Sequence, residues 1–534
     1  MTKMQLVPFE ALGDLGIMPD TFARDLPAGG GERGSNTPFA WSAAQNFRFR
    51  DGFAEKLLGH TAINGTPQVV PYGLFPVYGV NGRYWVYMGL QQAYAVNNLT
   101  HTNITRGSGN YTGTTANKWN GGDLSGTLVV NNGIDNPQYW GGNVATPMAD
   151  LLNWPANTQC KVMRPFKQFL MALNVTKSGT NYPHMVKWST EAVPGTLPAS
   201  WDQTDPTQDA GEQDLADTED HLVDGLALGD TFMIYKENST YAAQFIGQPY
   251  IFRFACISKE SGILATNCVA AFPGTPNFPM GGHAIMTQGD IVVTNGISPP
   301  QSIADRRMRK AIFNNLDSTN YANSFAVENP TRNEIWFCYP TSGSVWCNQA
   351  AIWNYKDNTW GVRDIPNLTH ANAGVIVYAQ ANTWDVDTDA WDNDDTTWGE
   401  DDYTQAASRV MMADSGQLLH LADITRSFNG SPMTASIERT GLDFGMPERI
   451  KTCRGVRLRI DADAGTVIQV YVGQQADLSQ SVTWNGPYNF TVGSSVKVDC
   501  FVSARYLSVK FVSVAQGAWR VRSFDMDVGA TGMY

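Results

Sequence analysis

Charged residues and long apolar runs are both scarce in this chain of 534 residues. Only 16% of the residues are charged, and no run of about eighteen apolar residues occurs that would span a membrane as a helix. The first residues, MTKMQLVPFEALGDLG, lack the apolar core of a secretory signal. We therefore expect no membrane-spanning segment and no export by the secretory pathway.

Clusters of basic residues are also rare. Lysine and arginine number 37 against 50 acidic residues, which gives a formal net charge of −13. A protein that grips nucleic acid needs grouped lysine and arginine to neutralise phosphates, so the composition argues against tight DNA binding. An acidic wall would still allow DNA to slide past it.

Motifs for catalysis, metal binding and nucleotide binding are absent. The seven cysteines include no CxxC pair, and no two of the seven histidines have the spacing of metal ligands. Cys338 and Cys347 could face each other across a hairpin, but free buried thiols fit a protein folded in the cytoplasm better. With no GxSxG, P-loop or HExxH motif, we predict no catalytic centre, no metal site and no cofactor.

Glycine and aromatic residues, in contrast, are plentiful, at 50 residues and 11% of the chain. Segments such as RYWVYMGLQQAYAV, GDTFMIYKENSTYAAQFI and AAIWNYKDNTWGVRD each have the pattern of a strand, a tight turn and a second strand. Such units recur from residue 61 to 445 and predict a β-propeller-like body of small antiparallel sheets. Two stacked β-sandwiches would give similar local patterns, and the blade number stays open.

The two ends of the chain differ from this body. Residues 1–60 are poorly periodic and rich in glycine and proline, which predicts an extended arm that ends in a hairpin turning at Asp51 and Gly52. Residues 446–534 contain alternating segments such as CRGVRLRI and VIQVYV, which predict a small C-terminal β-sandwich. The expected fold is thus all-β, with an arm, a propeller-like body and a sandwich.

Several phrases occur in an order that resembles the tail nozzle proteins of short-tailed bacteriophages. They are MRPFKQFLMALN, HMVKWSTEAVPGTLPASWD, GDTFMIYKENSTYAAQF, GHAIMTQGDIVVTNG, NEIWFCYP and AAIWNYKDNTWGVRDIP. In the second phrase, Trp188, Ser189 and Trp201 match a blade-closing pattern of the family, with a longer spacer. The N-terminal NFRFRDGFAEKLLG is similar to the opening that these proteins share. No single phrase is diagnostic, and the resemblance depends on their order.

The resemblance implies a structural protein of the phage virion tail that is made in the host cytoplasm and is not an enzyme. Members of this family form a homohexameric ring below the portal and its tail adaptor, and the ring makes the distal channel for DNA ejection. The expected partners are further copies of the chain, the adaptor, a fibre or tip protein, and double-stranded DNA passing without sequence-specific binding. Because a closed ring needs head-to-tail contacts, we expect the arm of residues 1–60 to strap onto a neighbouring subunit, which reversing the charges of Arg48 and Arg50 would test.

One dense basic run, DRRMRK, contains Arg306, Arg307, Arg309 and Lys310. These side chains could contact DNA phosphates in a channel or an acidic patch of a neighbouring subunit. An ordinary solvated face is the plainer interpretation. Because the surrounding chain is acidic, we favour an intersubunit ion pair, which would fix the register of the contact more than its strength.

The stretch TWDVDTDAWDNDDTTWGEDD places Trp384, Trp391 and Trp398 seven residues apart among nine carboxylates. Its alternating aspartates begin like an EF-hand, but Ala390 and Thr396 stand where that loop requires glycine and a bidentate glutamate. We favour a surface loop of aspartate-capped turns with tryptophan anchors over a calcium site or a helix. The same three tryptophans could instead form an exposed recognition loop. If the tryptophans stack on sugar rings, the alternative function is a carbohydrate-binding or carbohydrate-cleaving propeller for host-surface recognition.

Overall fold

The computed structural model of the protein describes residues 4–29, 37–79, 82–248, 250–376, 408–514 and 516–533. These residues form forty strands, one short α-helix (α1, Arg309–Phe313) and one 3-10 helix (Tyr321–Asn323). Neither helix in these ranges has the length and apolar character that a membrane crossing needs. The predicted all-β fold class is confirmed.

Five strands precede the first blade, and none of them forms a sheet of its own. They are β1 (Gln5–Phe9), β2 (Ala43–Gln45), β3 (Phe47–Arg50), β4 (Phe53–Lys56) and β5 (His60–Ile63). The strands β3 and β4 form the predicted hairpin, in which Arg50 lies opposite Phe53. Each of the five strands pairs with a strand that comes much later in the chain.

Five four-stranded antiparallel sheets follow, and in each sheet the strands pair in the order of the sequence. Blade 1 contains β6 (Gly73–Gly79), β7 (Gly82–Met88), β8 (Ala93–Asn97) and β9 (Thr100–Asn103); blade 2 contains β10 (Asn120–Leu124), β11 (Thr127–Asn131), β12 (Gln138–Trp140) and β13 (Ala149–Asp150). Blade 3 contains β14 (Thr158–Phe166), β15 (Phe169–Lys177), β16 (Thr180–Trp188) and β17 (Gly211–Asp214); blade 4 contains β18 (Leu222–Leu228), β19 (Thr231–Lys236), β20 (Thr240–Phe245) and β21 (Phe252–Ser258). Blade 5 contains β22 (Val269–Phe272), β23 (Gly282–Met286), β24 (Ile291–Thr294) and β25 (Gln301–Ser302).

Two further blades share one long strand. Their strands are β26 (Phe325–Asn329), β27 (Glu334–Tyr339), β28 (Cys347–Asn354), β29 (Thr359–Val375), β30 (Ser408–Asp414) and β31 (Leu419–Ala422). The first part of β29 pairs with β28 as the outermost strand of blade 6, and its second part pairs with β30 as the innermost strand of blade 7. The outermost strand of blade 7 is β5, in which Ile63 lies opposite Leu419. The described residues thus form seven blades, and a strand from the start of the chain closes the ring.

Apolar clusters fill the spaces between successive blades. Phe75 and Trp140 belong to the cluster between blades 1 and 2, while Leu74 and Leu421 belong to the cluster between blades 1 and 7. Sheets that bury both faces in this way need large side chains on both sides. The contact between the first and last blades makes the arrangement a closed β-propeller, as the sequence predicts.

The last strands form a two-layer sandwich. They are β34 (Ala435–Leu442), β35 (Arg449–Ala462), β36 (Val467–Gln475), β37 (Thr483–Thr491), β38 (Val498–Ala504), β39 (Tyr506–Ser513) and β40 (Trp519–Met533), preceded by the short β32 (Ser427–Phe428) and β33 (Ser431–Pro432). One sheet has the order β2-β34-β39-β36-β37, and the other places β40 between β35 and the pair β1 and β4. Phe9 of β1 stacks on Phe524 of β40 at 4.5 Å. The sandwich therefore contains both ends of the described chain.

Candidate functional site

The basic run lies between blades 5 and 6, where it leads into α1. The side chains of Arg306, Arg309 and Lys310 are exposed, whereas Arg307 is half-buried. Arg307 Nη1 donates a hydrogen bond to the carbonyl oxygen of Asn358 at 2.8 Å, so its own chain already holds that side chain. Three of the four predicted contact residues are thus presented to the outside.

A residue of the N-terminal segment holds the basic run in place. The carboxylate of Asp20 accepts hydrogen bonds from the backbone N–H groups of Lys310 and Ala311 at 2.5 and 2.9 Å. The backbone N–H of Asp20 in turn donates to the carbonyl oxygen of Arg307 at 3.1 Å. The shape of this surface therefore depends on the N-terminal segment, although the two are almost three hundred residues apart in the sequence.

The predicted recognition loop with Trp384, Trp391 and Trp398 lies outside the described residues. Its attachment points are described: Val375 at the end of β29 lies opposite Ser408 at the start of β30. These are the two innermost strands of blade 7. The recognition role of the three tryptophans stays a prediction.

A polar cluster, here called the axial cluster, lies at the centre of the propeller. The guanidinium of Arg164 binds both carboxylate oxygens of Asp224, with Nε–Oδ1 and Nη2–Oδ2 distances of 2.9 and 2.8 Å. The same Nη2 donates to Asn267 Oδ1 at 2.7 Å, and the backbone N–H of Asn267 donates to Asp224 Oδ2 at 2.7 Å. The planar guanidinium suits this two-pronged contact. Because Asp224 is fully buried, the contact links blades 3, 4 and 5 without competition from solvent.

Three hydrogen bonds in the axial cluster cross the centre of the ring. Lys118, which precedes blade 2, donates through Nζ to the carbonyl oxygens of Thr266 and Ser324 at 3.2 and 2.7 Å. Thr266 and Ser324 precede blades 5 and 6, which lie across the ring from blade 2. Asn267 Nδ2 also reaches across, to the carbonyl oxygen of Trp119 at 3.3 Å. Bonds of this length across the axis close the propeller's own central opening, so a DNA duplex cannot pass through it.

Burial changes the acidity of the groups around this centre. It lowers the pKa of Lys118, although the neighbouring Cys268, Cys347 and Asp224 oppose the change. Burial, with the positive charges of Lys118 and Arg164, also lowers the pKa of His370 to about 3. The ring of His370 stacks on that of Phe325 with their centroids 5.7 Å apart. His370 is therefore a neutral packing residue at physiological pH.

A second buried group of charges, here called the junction cluster, joins the N-terminal segment to blades 6 and 7. Arg48 of β3 contacts Glu334 of β27 and Asp423, with N–O distances of 2.8 Å in both pairs. Arg363 of β29 contacts the other oxygen of Asp423 at 2.7 Å. Burial alone would raise the pKa of Asp423, but the charges of Arg48 and Arg363 outweigh it and hold that pKa well below its usual range.

The contacts of Arg48 and Arg50 limit what the N-terminal arm can present to a neighbouring subunit. Arg48 is only 3% exposed and both of its acidic partners belong to its own chain, so it cannot bind a neighbouring subunit. Arg50 pairs with Glu55 at 2.7 Å within the β3–β4 hairpin. Arg48 is therefore engaged within its own chain, because desolvated charges need partners at fixed positions within the fold, and the strap formed by residues 1–60 stays a prediction.

The sequence gives only a weak signal for the residues of the two clusters. Arg164 and Asp224 stand on blades 3 and 4, 60 residues apart, and Asn267 lies 43 residues further on, just before blade 5; no local motif connects them. The available signal was a polar residue near the start of a strand that is otherwise apolar, as with Asp224 in LVDGLAL. Such a residue is costly to bury without a partner, so it predicts a partner without identifying it.

Metal ligands do not converge in the described part of the chain, where no group of three or more His, Cys, Asp or Glu side chains has a suitable arrangement. All seven cysteines are free; six are buried and Cys256 is exposed. The charged groups of both clusters form ion pairs and hydrogen bonds with other residues of the same chain. Their geometry serves to hold blades together.

No known protein-family model matches the chain, and no curated protein matches it. Among solved structures, the similarity covers 82% of this chain and 46% of PorZ, a surface component of the type-IX secretion system of Porphyromonas gingivalis, at 9% identity and a TM-score of 0.31. The WD40 domain of Toxoplasma gondii coronin is 8% identical with a TM-score of 0.36, over 68% of this chain and 84% of that domain. An exo-β-1,3-galactanase from Phanerochaete chrysosporium is 9% identical with a TM-score of 0.28, over 79% of this chain and 98% of that enzyme. The chain spans about half the length of PorZ, and similarity at these scores carries no inference about function.

Proposed function

We propose that this chain is a tail nozzle protein of a short-tailed bacteriophage, a structural virion component that forms a ring below the portal and adaptor. In this role it makes the distal channel for DNA ejection and docks a fibre or tip protein. The observation that supports the proposal is the position of the family-like phrases in the fold. They fall on successive blades in the order in which the family has them.

Each of these phrases covers one strand or two consecutive strands of a single blade. MRPFKQFLMALN covers the hairpin of β14 and β15 in blade 3, and GDTFMIYKENSTYAAQF covers β19 and β20 in blade 4. GHAIMTQGDIVVTNG covers β23 and β24 in blade 5, and NEIWFCYP covers β27 in blade 6. The other two phrases, HMVKWSTEAVPGTLPASWD and AAIWNYKDNTWGVRDIP, fall in blades 3 and 6, so the six phrases keep their order through four consecutive blades.

The axial cluster restricts how such a protein would conduct DNA. Since the centre of the propeller is closed by side chains, the channel must lie between subunits and be lined by the outer faces of several propellers. With a net charge of −13, such a lining would repel the phosphate backbone and keep the DNA from adhering as it passes. A ring of this kind requires head-to-tail contacts that close by rotation.

The mass of the full-length protein in solution tests this proposal. We expect light scattering to show a ring, either for the protein alone or after addition of the tail adaptor. A monomer that ignores the adaptor would contradict the nozzle function. If that monomer bound sugars on a glycan array, the alternative of a carbohydrate-recognising propeller would replace it.

The exposed part of the basic run supplies a variant for the same experiment. If it forms an intersubunit ion pair, Arg306→Glu together with Arg309→Glu should reduce the ring fraction at low salt by like-charge repulsion. The matched control is Arg253→Glu with Lys259→Glu, two exposed basic residues on and just after β21 of blade 4. Equal ring fractions in both double variants would exclude the basic run from the subunit contact.

A further inference from the structure

Two cysteines in the sandwich lie close enough to react with each other. The sulfur atoms of Cys453 on β35 and Cys500 on β38 are 3.6 Å apart. Both thiols are free, and both are buried, with 0% and 9% of the residue exposed. They are separated by 47 positions in the sequence, so only the pairing of the two strands brings them together.

An irregularity in the strand pairing explains this proximity. Cys453 lies opposite Val502, whereas Gly455 lies opposite Asp499, so β38 advances three residues where β35 advances two. Side chains of β38 alternate between buried and exposed, and Cys500 shares the buried face with Val502. In a regular ladder, diagonal neighbours are about 7–8 Å apart at their Cα atoms, and a bulge re-aims the side chains next to it.

The remaining distance is small compared with what side-chain rotation provides. A disulfide requires the sulfurs to approach to about 2.0 Å, so the two sulfurs must close by about 1.6 Å, a distance of the order by which a turn about the Cα–Cβ bond moves a sulfur atom. The thiol of Cys453 donates weakly to the carbonyl oxygen of Gly455 at 3.6 Å, and that of Cys500 to the carbonyl oxygen of Cys453 at 3.8 Å. These weak contacts hold the two sulfurs side by side without fixing either of them strongly.

We propose that Cys453 and Cys500 form a site of reversible oxidation, which becomes a disulfide when the folded protein meets a peroxide. Cys500 is the more accessible of the two and reacts first: its thiolate attacks one peroxide oxygen, the O–O bond breaks, and a sulfenic acid and water form. The sulfur of Cys453, after losing its proton, then attacks the sulfur of Cys500, and the S–O bond breaks to release a second water. Two thiols and one peroxide thus give one disulfide and two waters.

The disulfide would fasten the edge strand of the sandwich. In this sheet β38 pairs with β35 alone, so it is an edge strand and opens more easily than a strand held on both sides. A covalent link between the two strands reduces the freedom of the unfolded chain. We therefore expect the oxidised protein to melt several degrees higher than the reduced protein, with the difference abolished by a thiol reductant.

Mass spectrometry of the full-length protein tests the proposal directly. The reduced protein is exposed to a small excess of hydrogen peroxide, quenched, denatured and alkylated with iodoacetamide. We expect alkylation at all seven cysteines before oxidation and at five afterwards, and a proteolytic digest should contain the Cys453 and Cys500 peptides linked together. Cys338→Ser, which removes a buried thiol of blade 6, should leave that link intact.

The serine variants separate the two steps. Cys500→Ser should give no link, whereas Cys453→Ser should leave a sulfenic acid on Cys500 that dimedone traps. Seven alkylated cysteines after peroxide treatment of the folded wild-type protein, or a link that joins other cysteines, would overturn the proposal. The wild-type measurement decides the matter even if a serine variant fails to fold.

Discussion

At the scale of single residues, the carboxylate of Asp423 connects three parts of the chain. It contacts Arg48 at 2.8 Å and Arg363 at 2.7 Å, and all three side chains are buried. Asp423→Asn removes the negative charge and leaves two buried guanidinium groups with less compensation. Breaking a buried pair in this way costs about 3–5 kcal/mol, which urea unfolding followed by tryptophan fluorescence should detect.

An exposed aspartate provides the control for this variant. Asp463 contacts Arg426 at 2.9 Å, but its side chain is 58% exposed, so Asp463→Asn should cost less than about 1 kcal/mol. Equal losses in the two variants would show that burial does not decide the strength of these pairs.

Because the pKa of Asp423 is lowered in the fold, its contribution to stability is present above the unfolded pKa of about 4 and is lost as the pH falls further.

At the scale of the element, the long strand β29 requires a glycine where blade 7 meets blade 1. A Cβ atom on Gly374 would lie 2.6 Å from the Tyr78 hydroxyl oxygen and 2.8 Å from Pro76 Cβ. Gly374→Ala must therefore push the two blades apart, at a cost of about 1–3 kcal/mol. Thermal unfolding measures this loss.

The matched control removes a glycine that has free space around it. A Cβ atom on Gly141 would meet nothing within 4 Å, and Gly141→Ala should leave the melting temperature unchanged or slightly raised. If Gly374→Ala were equally harmless, the close contact between blades 7 and 1 would not be required for closure of the ring.

At the scale of the whole molecule, buried histidines make the fold sensitive to mild acid. Burial lowers the pKa of His60 and His370 to about 3 and that of His283 to about 4. The unfolded chain therefore binds protons below about pH 6.5 that the folded protein does not bind, so stability falls as the pH falls. For each of these histidines, the free energy of unfolding should fall by about 2 kcal/mol between pH 7 and pH 5. Urea unfolding at the two pH values measures this fall.

One substitution can isolate a single histidine from this total. His370→Phe keeps an aromatic ring against Phe325 and should reduce the loss between pH 7 and 5 by about 2 kcal/mol. Phe325→Leu, which changes the same contact without removing a titratable group, should leave the loss unchanged. An identical pH dependence in wild-type protein and His370→Phe would contradict the depressed pKa of His370.

Much of the local structure was predictable because it depends on neighbouring residues alone. The turn at Asp51 and Gly52 joins β3 to β4 as expected, since Asp51 and Gly52 both adopt positive φ angles that this turn needs. The segment GDTFMIYKENSTYAAQF gives two strands because its apolar and β-branched residues favour extended backbone. The all-β class follows from many such segments.

The sequence by itself therefore determined the strands, the turns and the all-β class, through local periodicity and turn chemistry. Only the tertiary structure decided the seven blades, the closure of blade 7 by β5, the placing of β1 and β4 beside β40, and the two clusters of charge. These features join residues that are hundreds of positions apart, such as Asp20 with Lys310 and Arg48 with Asp423. Their partners are chosen by which apolar faces are buried together, and that choice is made by the folded chain as a whole.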